Sequence, residues 1–429
     1  MNLLRFGLAF AFCVGFAGVS FSQDTEKPEP AVQAAATPES DQPDSDVSKS
    51  ESSDDVPAVL NPENDTSYWL LGEFIGEVKE SGDDPERKGM RMGLQLRPVG
   101  STDFDAQMFE GGLPGEGESF ADEPTQDPIG SPRDPMRLVG RRSGKLLVLS
   151  GGPFAIFVDA AGCTLIDPAG KTLGRLDRVS RASASLGAKP PAGAITLFGD
   201  DGDTSMLVDA TVASDGTLKQ GFAIKPMVQD FDLHAEFRTP YMPNKDDQQR
   251  GNSGIYIHGR YEMQILDSFA QSPAFNHLGA IYKAKAPDIN MALPPLSWQT
   301  YDVRFTAARY NADGSKYIDA RVTSWVNGVM VQNDVALAGP TGHGKDEQPL
   351  LLPIQLQDHN DEVRFRNLWI IDRGLVEADF PVEGNAKQPP LLMPSDEKES
   401  DQVDTADTLP LSTPIVSQDS QELPAPVVN

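Results

Sequence analysis

Cysteine is almost missing from this chain: among 429 residues there are two, Cys13 and Cys163. Cys13 lies in a segment expected to be removed, so no intramolecular disulfide can form and stability must come from packed cores. Long apolar runs are missing too. The run from Leu8 to Val19 is too short for a permanent bilayer helix, so no stable membrane insertion is expected. Positive charge is scarce, with 36 Lys and Arg against 64 Asp and Glu and a formal net charge of −28. That balance argues against nucleic acid or an anionic membrane as partner. There is no phosphate-binding Walker loop, dinucleotide fingerprint, zinc-finger spacing, His-Glu-x-x-His or serine nucleophile elbow.

What is present begins with a targeting signal. Arg5 supplies a positive start, the short apolar run follows, and Ser20-Phe21-Ser22 offers a small-x-small cleavage site. Residues 1–22 read as a secretory signal peptide, and the mature protein is expected to be periplasmic or secreted. Cys13 lacks the small residues a lipoprotein cleavage site needs just before it, which favours a free mature protein. Residues 23–65 hold 12 Asp and Glu against two Lys, and residues 383–429 hold nine against two. Both segments are rich in Pro, Ser and Gln and cannot bury enough apolar surface to offset chain entropy. They are expected to be disordered acidic tails, whose charge either solvates the chain or serves a docking or cation-gathering role.

Between the tails the pattern is all-β. Residues 66–182 predict a small β-barrel or open β-roll, from runs such as Gly72 to Val78, Met90 to Leu96, Lys145 to Leu149, Ala155 to Val158 and Cys163 to Ile166. A segment of linker composition, Ser183 to Ala194, follows. Residues 186–375 then carry short strand signals in close succession, with no long segment of helical period, as in a sandwich or jelly roll. In Gly254-Ile255-Tyr256-Ile257-His258 the isoleucines share one face while Tyr256 and His258 share the other. In Tyr261 to Ile265, Glu262 and Gln264 oppose the apolar set. With Gly259-Arg260 as a hairpin turn, the pair predicts a polar sheet face of Tyr256, His258, Glu262 and Gln264. An ordinary solvated outer face would alternate in the same way.

All five histidines fall between His234 and His359. His359 beside Asp358 could act as a general base or bind a metal, although a loop histidine that steadies a turn is the commoner case. His258, His277, His343 and His359 with Glu262 and Asp267 could build a mixed nitrogen and oxygen site for a divalent metal. Glu262-x-Gln264-x-x-Asp267 is similar in arrangement to the acidic strand of jelly-roll glycanases, with Gln264 in place of the middle acid. Trp298 and Trp325 could stack on sugars, but core packing suits their strand context better.

Arg250-Gly251-Asn252-Ser253-Gly254-Ile255-Tyr256-Ile257-His258-Gly259-Arg260-Tyr261-Glu262-Met263-Gln264-Ile265-Leu266-Asp267-Ser268 resembles the 3-keto-disaccharide hydrolase family. Gly279 to Tyr282, Leu293 to Pro295, Trp298 to Asp302, Leu356 to His359 and Val363 to Asn367 agree with it in order, and the N-terminal β-domain looks like that of planctomycete members. The resemblance implies a concanavalin A-like jelly roll, export, and cleavage of glycosides oxidised at C3, with a carbohydrate as substrate. The chemistry of such a substrate assigns Glu262 and His359 to acid/base work and Tyr256, Arg260, Gln264, Gln357 and Arg364 to substrate binding. His258, Asp267 and Asp358 become candidates for a divalent metal. A divalent metal is the one cofactor these residues suggest. The competing expectation is a non-catalytic, lectin-like module of the cell envelope, because the same sandwich serves both.

Overall fold

The structure, a computed structural model, describes residues 65–79, 89–116 and 135–375. The signal segment and, apart from Asp65, both acidic tails expected from the sequence lie outside these residues. The described residues are strands and loops with one short 3-10 turn, Asp247–Gln249, and no helix among them is long and apolar enough to cross a membrane.

The first eight strands are β1 (Gly72–Val78), β2 (Met90–Pro98), β3 (Asp103–Glu110), β4 (Met136–Ser143), β5 (Leu146–Ser150), β6 (Ala155–Val158), β7 (Gly162–Ile166) and β8 (Thr172–Val179). Each pairs antiparallel with the next, and β1 closes on β8. Alternation turns Phe74, Leu94, Leu96, Ala106, Met108, Leu149, Leu165 and Leu176 inward, so the interior is a packed core. Closure settles the choice between barrel and open roll, and it removes every free sheet edge. Cys163 is part of that core, and burial pushes its thiol far up.

The remaining strands form a sandwich: β9 (Ile195–Phe198), β10 (Leu207–Val208), β11 (Leu218–Lys219), β12 (Phe222–Ile224), β13 (Asp230–Arg238), β14 (Ser253–Ile257), β15 (Tyr261–Ile265), β16 (Gln299–Thr306), β17 (Arg309–Tyr310), β18 (Lys316–Ile318), β19 (Ala320–Val326), β20 (Val329–Leu337), β21 (Gln355–Leu356) and β22 (Arg364–Gly374). One sheet runs β10-β12-β21-β14-β15. The other runs β11-β22-β13-β16-β19-β20, with β9 also on β22, and β17-β18 is a separate hairpin. Between the sheets lie Ile255, Ile257, Met263, Ile265 and Leu356 from the first and Phe231, Leu233, Phe237, Val303, Phe305 and Phe365 from the second. The fold is therefore all-β, a jelly-roll sandwich preceded by a barrel.

The segment with linker composition is a packed strap. Ser183 and Ser185 are buried, the Ser185 hydroxyl donates to Asp302 Oδ2 at 2.9 Å, and Gly187 N–H donates to Glu236. The Ala188 carbonyl accepts from Asn367 at 2.9 Å and from the Trp369 indole at 3.2 Å. Beneath the strap His234 stacks on Trp369 and is held by Asp302 at 2.6 Å. Burial alone would depress this imidazole; the carboxylates of Asp302 and Glu236 override it and push it up to about 9. Small polar residues suit a strap because their hydroxyls and amides satisfy polar groups that the sheet would otherwise bury unpaired.

The barrel packs on the sandwich near its polar face. The Pro98 carbonyl accepts from Arg250 Nη1 at 3.1 Å, and Gln107 donates to the Ser272 hydroxyl at 2.9 Å.

Candidate active site

Register places the polar face residue by residue. Ile255 and Ile257 enter the core, so Asn252, Gly254 and Tyr256 turn to the other side of the five-stranded sheet. Across the hairpin Gly254 pairs with Gln264 and Tyr256 with Glu262, while on the other flank Gln355 pairs with Tyr256 and Gln357 N–H donates to the Gly254 carbonyl at 2.8 Å. Glu262, Gln264, Tyr256 and Gln357 thus share one face, as three adjacent strands require.

Glu262 is 2% exposed and accepts a hydrogen bond from the Tyr256 hydroxyl at 2.8 Å. Burial raises its carboxyl to about 7, against the weaker opposing pull of the Tyr256 hydrogen bond and the charge of Lys283. Burial, and then the adjacent Glu262 charge, pushes the Tyr256 phenol far up, so it remains a proton donor throughout the neutral range. Gly254 is needed at its position, because a Cβ there would stand 2.6 Å from Glu262 Oε1. Replacing Tyr256 by Phe removes the hydrogen bond that favours the carboxylate. The acidic limb of the pH–rate profile should therefore move to higher pH, by up to about one unit, as read from kcat/KM between pH 5 and 9.

Around this carboxyl the amide side chains are incompletely paired. Gln264 donates to Gln248 Oε1 at 2.9 Å, and Asn252 donates to the Gln248 carbonyl at 2.8 Å. The acceptor oxygens of Asn252, Gln264 and Gln357 are buried, with no hydrogen-bond partner among the described residues. A buried acceptor left unmatched costs about 1–3 kcal/mol, so three on one face amount to a site built to receive hydroxyl donors. The rim is formed by the segment after β15: Tyr282 N–H donates to the Glu262 carbonyl at 3.0 Å, and the Lys283 ammonium lies 5.1 Å from the Tyr282 ring. Thr341 Oγ1 accepts from Glu262 N–H at 2.8 Å, and His343 stacks at 6.5 Å on Tyr282. Gln248 and Lys283 were not singled out from the sequence, and Tyr282 only as part of a family motif, since only the chain's return to this sheet brings them there.

Several expected members are elsewhere. His258 does not continue the strand. With Gly259 it occupies a turn at φ 51° and 62°, closed by Arg260 N–H donating to the Ile257 carbonyl at 3.0 Å. Such a turn demands positive φ at both central residues. The ring is thereby carried to the end of the core, against Phe231 and Phe305, where Nε2 meets the Val228 carbonyl at 2.9 Å. Arg260 commits its guanidinium to the carbonyls of Asp346 and Leu350 at 3.0 and 2.8 Å, which anchors a loop. Arg364 is on β22, in the opposite sheet; Phe365 enters the core, so Arg364 faces the far side of the sandwich.

Asp267 is closed by Arg250, whose Nε stands 2.7 Å from Oδ2, and both side chains are almost fully buried. Asp358 is exposed and accepts from Asn360 N–H at 2.9 Å. His258, Asp267 and Asp358 therefore do not fit a metal as a set, and among the described residues no three His, Cys, Asp or Glu side chains gather as one would need. His359 is exposed on the loop after β21. It lies two residues before Asp361, which accepts from Asn252 N–H at 2.7 Å, and so stands at the margin of the face rather than against Glu262. Trp325 is fully buried, and Trp298 is covered by Arg366 at 4.1 Å.

The fold is a jelly-roll domain, and the proteins it is similar to are of glycoside-acting type. Residues 190–371 match the family described as the 3-keto-alpha-glucoside-1,2-lyase-like domain, and through this domain the chain belongs to that family. A solved structure from Parabacteroides distasonis ATCC 8503, named a "putative glycosyl hydrolase", shares 34% identity over 42% of this chain and 84% of its own, with a TM-score of 0.39. A second of the same name and organism shares 18% identity over 42% of this chain and 94% of its own, with a TM-score of 0.31. No curated protein matches the chain.

Proposed function

We propose that the Glu262 face cleaves 3-keto-glycosides, 3-keto-disaccharides among them, by elimination followed by hydration. The observation that carries this reading is a buried carboxyl, poised near neutrality, in the midst of three unpaired amide acceptors. A ketone at C3 acidifies the C2 proton, and a base of neutral pKa removes it most effectively. The C2–H electron pair becomes the C1–C2 double bond, the C1–oxygen bond breaks, and the leaving oxygen takes a proton. Glu262, protonated by the first step, or Tyr256 through its hydrogen bond to Glu262, supplies that proton. Water then adds at C1 and C2 is reprotonated, so one glycoside and one water give a free 3-keto sugar and the aglycone. Lys283 is the nearby cation suited to the negative charge that develops on the ketone oxygen. The acceptors of Asn252, Gln264 and Gln357 would hold the sugar hydroxyls, and no step needs a metal. The leader expected from the sequence at residues 1–22 supports a place for this reaction in the periplasm or outside the cell.

The test is to incubate the protein with p-nitrophenyl 3-keto-α-glucoside in heavy water. The expected result is release of p-nitrophenol, with deuterium at C2 of the recovered sugar above the enzyme-free control. Release without deuterium at C2 would overturn elimination in favour of direct hydrolysis. Saturable binding with no release would identify a lectin-like module instead.

A further inference from the structure

A cleft opens on the side of β15 opposite Glu262. It measures about 240 Å³ and lies at the end of the sandwich, between the β17–β18 hairpin and residues 348–351. Tyr261, next in sequence to Glu262, points through the other face of the strand and lines this cleft, so a ligand here leaves the Glu262 face open.

The lining defines the ligand's chemistry. Tyr310 is partly exposed and Tyr317 is 58% exposed, with Leu350 also open to solvent at 60%. These rings carry an apolar face and a polar tip, as amphipathic ligands require. Gln229 and Gln348 line the same cleft with side-chain amides, and Gln348 is open to solvent. The two cations present are already engaged. Arg260 binds the Asp346 and Leu350 carbonyls, and Arg309 makes a two-point pair with Asp230. His258 lines the cleft with burial depressing its pKa, so it is a neutral ring whose Nε2–H is spent on the Val228 carbonyl, which leaves Nδ1 as an acceptor. Aromatic faces, amides and a neutral imidazole, with the arginines internally paired, suit a ligand that is uncharged, rich in hydroxyls and flat on one side. The volume falls below the roughly 300–1,000 Å³ typical of drug-sized ligands, as suits a single sugar ring.

We infer that this cleft is an auxiliary binding site for a neutral saccharide, separate from the Glu262 face and able to hold a glycan while that face acts. The stacking residues are Tyr310 and Tyr317, and Gln229 and Gln348 supply the hydrogen bonds.

The probes are maltose and cellobiose, which are uncharged and carry no ketone, titrated by saturation-transfer NMR against the full chain and three variants. Saturable binding of either sugar is expected, unchanged in Glu262→Gln and at least tenfold weaker in Tyr317→Ala and Gln348→Ala. Both latter positions are exposed, so these variants should retain the fold, which circular dichroism checks. Absence of saturable binding by both sugars overturns the inference. So does binding that survives Tyr317→Ala, or binding lost in Glu262→Gln, which would place the sugar on the other face. Because neither probe can be eliminated, these outcomes do not depend on whether the Glu262 face turns over 3-keto-glycosides.

Discussion

Glu262→Gln should lower kcat/KM on a 3-keto-glycoside by about 10²–10⁴-fold, the usual contribution of a positioned general base, and should do so without weakening the fold. Glutamine keeps the shape and can still meet the Tyr256 hydroxyl, but it cannot take the C2 proton. The stability of the variant separates loss of chemistry from loss of structure. A carboxyl raised from 4.5 to about 7 by burial holds its proton more tightly folded than unfolded. Its contribution to stability is therefore greatest below pH 4.5 and declines as pH rises to about 7, by an amount of the order of 3 kcal/mol. The amide carries no such penalty, so at pH 8 Glu262→Gln should unfold at the same or a higher denaturant midpoint than the native protein. The pH profile gives the matching sign: native activity should fall tenfold per unit as pH drops below about 7, where the base becomes protonated. A folded variant that retains turnover would remove Glu262 from the mechanism.

Asp267→Asn should be the most destabilising single change near the site. Its carboxylate faces the buried Arg250, and the charge of Arg97, itself buried, is felt by both. Removing the anion leaves two guanidinium groups close together in the interior. Breaking a buried pair in this way costs about 3–5 kcal/mol, or roughly 6–20 °C in melting temperature. The same change loosens Arg250 from the Pro98 carbonyl and thereby the segment that holds Gln248 against Gln264. Thermal unfolding followed by circular dichroism measures the loss. A metal ligand would behave differently, because thorough chelation of the native protein would then reproduce the drop in melting temperature. The expected result is that chelation leaves it unchanged.

The residues of the β14–β15 hairpin illustrate how far sequence reaches. Period-two alternation is a local property, so Tyr256, Glu262 and Gln264 were legible as one face before any coordinates. The same rule failed two residues after Tyr256, at His258, because a turn needing positive φ took over from the strand and no alternation rule survives such a turn. Gln357 lies on the Glu262 face and Arg364 does not, although they are only seven positions apart. Between the two the chain leaves one sheet for the other, and a crossing of the core leaves no periodic trace. In the barrel, Asp103–Glu110 and Met136–Ser143 went unread as strands. Their inward positions include Ala106 and Gly140, which contribute little apolar contrast, and only their pairing with each other spans a long connection.

By itself, then, the order of the residues determined the all-β class, the hairpin with its polar face, and the family to which the jelly roll belongs, since each is carried by short-range pattern or by motifs in sequence. Only the tertiary structure decided that Asp267 answers Arg250, that Arg260 anchors a loop, that Gln248 and Lys283 join Glu262, and that the Ser183 segment is a strap. Those outcomes depend on which side chains meet across loops and sheets, and burial and charge pairing act on distance in space, not on separation along the chain.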